Sequence, residues 1–153
     1  MKLRDLVLCL FGTLIFSLAA AGQTVSGEIK GGVVKRGQPV KAVVTLDLPS
    51  ELHVNSNRPT EAYLIPTTVI PTAPGLKLGL VKFPDAHDRK FAFSEKPLNI
   101  FEGKVTFLFD VTVPKTFKSK KAVVDVAVRY QACTEEVCYP PKTKQVKLEA
   151  EVR

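Results

Sequence analysis

Apolar residues recur at every second position in four long segments, and this alternation restricts the fold more than any other feature of the sequence. Side chains two residues apart lie on the same face of a β-strand, so each segment predicts a strand with one buried and one solvated face. The predicted buried faces are Val40, Ala42, Val44, Leu46 and Leu48; Val105, Phe107, Phe109, Val111 and Val113; Val124, Val126, Val128, Tyr130 and Ala132; and Val146, Leu148, Ala150 and Val152.

Strands with one apolar face are typical of antiparallel sheets that pack face to face. The 11 prolines and 9 glycines divide the chain into short runs, and no segment keeps a helical period. We therefore predict an all-β fold, an immunoglobulin-like antiparallel β-sandwich. Two long connections, residues 53–71 and 83–97, separate the predicted strands. The second places Phe91 and Phe93 in a charged loop, where we expect exposed aromatic side chains that cover another part of the surface.

The first 21 residues have the three parts of a secretory signal peptide. Lys2 and Arg4 supply positive charge, residues 6–18 form an apolar run, and residues 19–21 are alanines that suit a signal peptidase. The apolar run is shorter than the roughly 20 residues of a membrane-spanning helix. We expect cleavage after Ala21, with an uncleaved anchor as the alternative. Cleavage removes Cys9 and leaves residues 22–153 as one domain in an oxidising compartment.

The chain has a formal net charge of +7, with basic residues spread among acidic ones. A nucleic-acid interface needs a dense basic stripe with interleaved aromatic residues. The distribution favours an ordinary solvated surface, and we expect no nucleic-acid partner.

The segment YQACTEEVCYPP, residues 130–141, contains both cysteines of the predicted mature domain, Cys133 and Cys138. In an oxidising compartment such a pair normally forms a disulfide. Closing so short a loop contributes only about 2 kcal/mol to stability, which is a weak reason for a purely structural bridge. A short, exposed disulfide at the edge of a domain can instead react with an incoming thiolate and resolve through its neighbour. The pattern favours redox exchange.

Four residues flank the pair and define the rest of this predicted site. Pro140 and Pro141 fix the backbone behind Cys138 and lack amide donors. Tyr130 and Tyr139 present apolar rings with polar tips on either side.

Two other kinds of site and one other function fit the sequence less well. Zinc binding by Cys133, Cys138, His53 and His87 is disfavoured, because their spacing matches no usual ligand pattern. No hydrolase motif or phosphate-binding loop is present, so we expect no metal and no cofactor. The alternative function is a non-enzymatic β-sandwich binding or assembly module whose disulfide only pins a hairpin.

The segment YQACTEEVCYPPKTKQVKL resembles the active-site hairpin of the family formed by the N-terminal periplasmic domain of DsbD, the thiol:disulfide interchange protein. The resemblance extends through FPDAHDRKFAFSEK and HVNSNRPTEAYLIPT, and so covers most of the mature chain. It implies a periplasmic immunoglobulin-like domain that takes electrons from a membrane electron-transfer protein and passes them to thioredoxin-like periplasmic proteins. It implies no bound cofactor, and we expect a monomer.

The resemblance also implies residue roles. Cys138 matches the cysteine that attacks a partner disulfide, and Cys133 matches the resolving thiol. Phe93 matches the aromatic residue of a cap loop that covers the disulfide until a partner displaces it. The loop that contains Phe91, Phe93 and Ser94 is then the expected moving part.

Two features depart from the best-known members of that family. Four residues separate the cysteines here, whereas five separate them there. The chain ends at Arg153, where those members continue into a membrane segment and a thioredoxin-like domain. We therefore expect the electron donor to be a separate protein.

Overall fold

Twelve β-strands run through residues 22–153, the part of the chain that the computed structural model describes. The predicted signal peptide, residues 1–21, lies outside the described residues and stays a prediction. One short 3-10 helix occupies Lys30–Gly32, and no helix in residues 22–153 has the length and apolarity needed to cross a membrane. The strands are β1 (Thr24–Ile29), β2 (Val33–Val34), β3 (Pro39–Asp47), β4 (His53–Asn55), β5 (Thr68–Thr72), β6 (Lys77–Leu78), β7 (His87–Arg89), β8 (Leu98–Glu102), β9 (Lys104–Thr112), β10 (Lys121–Tyr130), β11 (Ala132–Cys133) and β12 (Lys142–Val152).

The four alternating segments form the four longest of these strands, β3, β9, β10 and β12. The first sheet has the order β1-β3-β9-β6, and the second has the order β2-β12-β10-β5. All pairings are antiparallel except the short one between β2 and β12, which is parallel. The prediction of an immunoglobulin-like antiparallel β-sandwich is confirmed.

The main core contains most of the predicted apolar faces, together with buried residues from other strands such as Ile29, Val54 and Phe101; the predicted Val40 and Val146 are only partly buried. The largest fully buried side chains in it include Tyr130, Phe107 and Phe109. Full burial of one large apolar side chain contributes about 1.5–3 kcal/mol. This core, with more than twenty buried residues, therefore outweighs the roughly 2 kcal/mol available from closing one short disulfide loop.

A third sheet, in the order β11-β4-β8-β7, continues from one end of the sandwich. The chain passes directly from the third sheet to the first, because only Gly103 separates β8 from β9. Gly103 has a φ of 61°, a left-handed conformation that side chains other than glycine rarely adopt. The positive φ lets the chain turn from one sheet into the other, and the third sheet carries the cysteine pair at its edge.

The two long predicted connections contain strands that the sequence pattern did not reveal. Residues 53–71 include β4 and most of β5, and residues 83–97 include β7. The strands β4 and β7 are only three residues long, too short for a period of two to be recognised. They belong to the third sheet and bring both predicted connections to the cysteine pair.

Candidate functional site

Cys133 and Cys138 face each other across a narrow antiparallel hairpin at the edge of the third sheet. The Thr134 amide donates to the Val137 carbonyl (2.8 Å), and the Tyr139 amide donates to the Ala132 carbonyl (2.9 Å). These two hydrogen bonds flank the cysteines, which therefore occupy a non-hydrogen-bonded pair, the position where opposite Cα atoms lie closest. The Cα atoms are 4.0 Å apart and the sulfurs are joined in a disulfide.

Thr134 supplies side-chain hydrogen bonds within the tip of this hairpin. Its hydroxyl oxygen accepts hydrogen bonds from the amides of Glu136 (3.2 Å) and Val137 (3.1 Å). Such side-chain to backbone bonds are typical of threonine at tight turns. The turn therefore has its own hydrogen bonds in addition to the disulfide.

The two cysteines differ in their exposure to solvent. Cys133 is 1% exposed, whereas Cys138 is an exposed residue. Its neighbours Val137 and Tyr139 are 55% and 44% exposed, so the accessible cysteine lies among exposed apolar side chains. An incoming protein thiolate can therefore reach the sulfur of Cys138 more readily than that of Cys133.

Three rings form a stack that begins beside the buried cysteine. His53 on β4 is paired in register with Cys133 on β11. The His53 ring stacks on Phe91 with centroids 4.4 Å apart, and Phe91 stacks on Phe93 with centroids 5.2 Å apart. Offset aromatic pairs at these separations are attractive by about 0.5–1.5 kcal/mol each. The stack connects the interior of the site to the surface.

The predicted cap loop is a compact turn with one exposed ring. Two hydrogen bonds of Ser94 stabilise the turn. The Ser94 amide donates to the Phe91 carbonyl (3.2 Å), and the Ser94 hydroxyl donates to the Lys96 carbonyl (2.7 Å). Phe93 is 50% exposed.

Phe91, in contrast, is 1% exposed, so the expectation that both rings are exposed is wrong for this residue. Its ring packs in a small second core with Leu98 and Ile100 of β8. Ser94 is also buried. These two residues hold the base of the loop, and Phe93 is its exposed ring.

Arg89, the last residue of β7, links the cap loop to the cysteine hairpin. Its guanidinium pairs with the carboxylates of Glu102 on β8 and of Glu135 in the hairpin turn. The same group lies 5.3 Å from the centroid of the Phe91 ring. Because Arg89 and Glu135 are both substantially exposed, their pair contributes at most about 1 kcal/mol and can open readily.

The electrostatic surroundings of His53 favour its neutral form. Burial lowers the pKa of His53 below its ordinary value of 6.5, and the charge of Arg89 lowers it further, whereas the carboxylates of Glu102 and Glu135 oppose the shift. The second histidine, His87, is exposed and shares a hydrogen bond with Glu102 at 2.9 Å. Within residues 22–153, no cluster of three or more His, Cys, Asp or Glu side chains is suited to hold a metal ion.

The four predicted flanking residues lie in two different environments. Tyr139, Pro140 and Pro141 are exposed and lead from Cys138 into β12. The Gln131 side-chain amide donates to the Tyr139 carbonyl (3.0 Å) and fixes this segment against the preceding strand. Tyr130 is instead fully buried in the main core, so its ring does not lie on the surface around the cysteine pair.

The Tyr130 hydroxyl has no hydrogen-bond partner among the residues that the structure describes. Its burial raises the pKa of this phenol. A buried polar group without a partner costs about 1–3 kcal/mol.

We therefore expect Tyr130→Phe to raise the free energy of unfolding, measured by urea denaturation, by about 1 kcal/mol. Tyr139→Phe, at an exposed position, is the control and should change it by less than about 0.5 kcal/mol. A clear loss of stability in Tyr130→Phe would show that the hydroxyl has a partner in solution.

Sequence patterns did not identify His53 and Arg89 as residues of this site. The sequence presents His53 only as a weak candidate zinc ligand, and Arg89 is one of several charged residues in the segment 83–97. Their place depends on the pairing of β4 with β11 and of β7 with β8, which joins segments far apart in the chain. A charged residue next to the loop aromatics was the one local signal for Arg89.

Comparison with known proteins gives a consistent result across the chain. The family model described as "Thiol:disulfide interchange protein DsbD, N-terminal" matches residues 26–150. The thiol:disulfide interchange protein DsbD of Actinobacillus pleuropneumoniae serotype 5b (strain L20) is 37% identical over 62 residues. That alignment covers 40% of this chain but only 11% of the relative, so the chain corresponds to a small part of that protein.

Solved structures show weaker likeness. The DsbD N-terminal domain of Neisseria meningitidis, in its reduced form, is 14% identical with a TM-score of 0.46, over 72% of this chain and 77% of that one. The N-terminal periplasmic domain of ScsB from Proteus mirabilis is 11% identical with a TM-score of 0.48, over 83% of this chain and 44% of that one.

Proposed function

This chain belongs to the family of the N-terminal domain of the thiol:disulfide interchange protein DsbD, and we propose that it relays two electrons through the Cys133–Cys138 pair. Family membership and the disulfide between these cysteines support thiol–disulfide exchange as the chemistry. Membership also supports a periplasmic location, which a signal peptide cleaved after Ala21 would provide. The domain proper is then residues 22–153.

The observation that carries the proposal is the unequal exposure of the two cysteines. In the reduced domain, the exposed Cys138 thiolate attacks one sulfur of a partner disulfide, and the other partner sulfur leaves as a thiolate. Cys133 then attacks the Cys138 sulfur, which re-forms the Cys133–Cys138 disulfide and releases the second partner thiolate. The domain loses two electrons and the partner gains two. One accessible and one shielded sulfur suit this sequence of steps.

The proposed electron donor and acceptors are chosen from the thiol–disulfide chemistry of the pair and from membership of the family. We propose thioredoxin-like periplasmic proteins as acceptors of the electrons, because they carry disulfides that are accessible to an attacking thiolate. A membrane electron-transfer protein is the proposed donor that returns the pair to its reduced form. The exposed side chains of Val137 and Tyr139 beside Cys138 provide an apolar surface for such contacts.

Phe93 is proposed to shield the disulfide as the tip of a cap loop. It is half exposed and rests on Phe91, which is anchored in the second core together with Ser94. A ring held mainly by stacking can leave without breaking a strong directional bond. The moving part is then the loop tip at Phe93, with Phe91 and Ser94 as its fixed base.

A purely structural disulfide fits this hairpin less well. Thr134 and the two backbone hydrogen bonds already close the turn, so the bridge adds little order. Structural bridges in secreted proteins more commonly have reduction potentials below about −300 mV, whereas exposed, labile ones lie higher.

The reduction potential tests the proposal directly. Equilibration of residues 22–153 with dithiothreitol buffers of defined potential, followed by alkylation and mass spectrometry, should give a value above about −300 mV. The reduced domain should also reduce the disulfide of a purified periplasmic thioredoxin-like protein. A potential below that limit, together with no transfer to such a protein, would support the structural alternative.

A further inference from the structure

His53 is paired across the sheet with the buried cysteine of the pair. It is 2% exposed and directly opposite Cys133 in the antiparallel pairing of β4 with β11. Directly opposite residues in such a pair point to the same face, with Cβ atoms about 4.5–5.5 Å apart. The register therefore places the two side chains next to each other on one face of the sheet, with His53 on the side of Cys133 opposite Cys138.

The ring of His53 is held in a way that leaves its nitrogens available. Stacking on Phe91 fixes the plane of the ring. The other histidine, His87, is hydrogen-bonded to Glu102, whereas the hydrogen bonds within residues 22–153 include none to the ring of His53. A buried imidazole that is fixed by stacking alone retains one nitrogen that can accept a proton.

The exchange reaction needs a proton acceptor at this point. After Cys138 has formed the mixed disulfide, Cys133 must lose its thiol proton before it can attack, because the thiolate is the nucleophile. A thiol shielded from water holds its proton more tightly than an exposed thiol. Solvent hydroxide has poor access to a residue that is 1% exposed. The resolving step therefore benefits from a base within the protein.

We propose that His53 accepts the thiol proton of Cys133 as Cys133 attacks the mixed disulfide, and afterwards releases it to solvent; this rests on the exchange function proposed above. In the resolving step, the S–H bond of Cys133 breaks and its proton moves to the imidazole. The Cys133–Cys138 bond forms, and the bond between Cys138 and the partner sulfur breaks. The partner leaves as a thiolate with the electron pair of that bond.

The charged groups around His53 suit both states of the ring. In the disulfide form, burial and the guanidinium of Arg89, at the end of β7, lower the pKa of His53, so the imidazole favours its neutral form and gives up the proton after the step. The carboxylates of Glu102 on β8 and of Glu135 in the hairpin turn stabilise the imidazolium once the proton has moved. His87 is hydrogen-bonded to Glu102 on its solvent side. Neutral His53 is the active form, so the resolving step should accelerate as pH rises through its pKa and then level off.

A two-phase assay separates the steps. The reduced domain is mixed with one equivalent of a nitrobenzoate disulfide, whose released thiolate absorbs visible light. Attack by Cys138 releases the first thiolate, at a rate that depends on concentration. Attack by Cys133 releases the second, at a rate that does not. The second phase reports the step in which His53 is proposed to act.

His53→Phe keeps a ring that can stack on Phe91 and removes the proton acceptor. At neutral pH we expect its second phase to be about 100-fold slower, at the lower end of typical general-base contributions. Its first phase should be little changed. The levelling-off of the second phase above the His53 pKa should also disappear. His87→Gln, which removes the only other histidine of the chain, is the matched control and should leave both phases unchanged.

Each outcome decides the proposal. An unchanged second phase in folded His53→Phe overturns the proposal. A slower second phase whose pH profile keeps the wild-type shape also overturns it, because that result indicates a displaced Cys133 and not a lost base. Circular dichroism establishes folding, and His53→Gln replaces His53→Phe if the latter does not fold. Absence of the first phase in the wild type would contradict the exchange function itself, which separates the two failures.

Discussion

Cys133→Ser should convert the domain into a covalent trap for thioredoxin-like proteins. In this variant the exposed Cys138 still attacks a partner disulfide, but no neighbouring thiol remains to resolve the mixed disulfide. The complex should therefore accumulate and survive non-reducing electrophoresis. In Cys138→Ser the remaining thiol belongs to Cys133, which is 1% exposed. Trapping by that variant should be at least about tenfold weaker, because access limits the attack.

The double variant, Cys133→Ser with Cys138→Ser, is the control for both. It should trap nothing and transfer no electrons. Its melting temperature should fall by no more than about 10 °C, since the lost loop closure accounts for about 2 kcal/mol and Thr134 still closes the turn. Equal trapping by the two single variants would disprove the assignment of Cys138 as the attacking thiol. A melting temperature lower by several tens of degrees would indicate a structural disulfide.

The sandwich could be predicted because its strands are long and exposed on one face. In β3, β9, β10 and β12, each buried residue is two positions from the next, so tertiary packing and sequence period agree. The cysteine pair could be predicted because a short loop brings the two residues together without help from the rest of the fold. Both features are local in sequence, and local features are what a single sequence records best.

The environment of the pair could not be predicted in the same way. His53 is placed next to Cys133 only by the register of β4 with β11. These strands have three and two residues, respectively, and lie almost eighty positions apart in the sequence. Phe91 and Phe93 are two positions apart in one charged loop, yet the first is buried and the second is half exposed. Their difference follows from the contact of Phe91 with His53 and with the second core. Long-range contacts of this kind leave no period in the sequence.

The same difference between the two rings gives the last prediction, in which Phe91→Ala costs much more stability than Phe93→Ala. Phe91 is fully buried, so its truncation should lower the free energy of unfolding by about 3–5 kcal/mol. Phe93 is half exposed, and its truncation should cost less than about 1 kcal/mol, including the lost stacking. Urea denaturation of the two variants measures both values.

Phe93→Ala should instead change how fast dithiothreitol reduces the Cys133–Cys138 disulfide. If stacking on Phe91 holds the cap closed with about 0.5–1.5 kcal/mol, its loss raises the open fraction, and the reduction rate, by about twofold to tenfold. Leu80→Ala is the matched control, because Leu80 is 92% exposed and follows β6 of the first sheet; it should not change the rate. An unchanged rate in folded Phe93→Ala would rule out the cap. A loss of stability as large as that of Phe91→Ala would show that Phe93 is a core residue in solution, and any faster reduction would then come from unfolding.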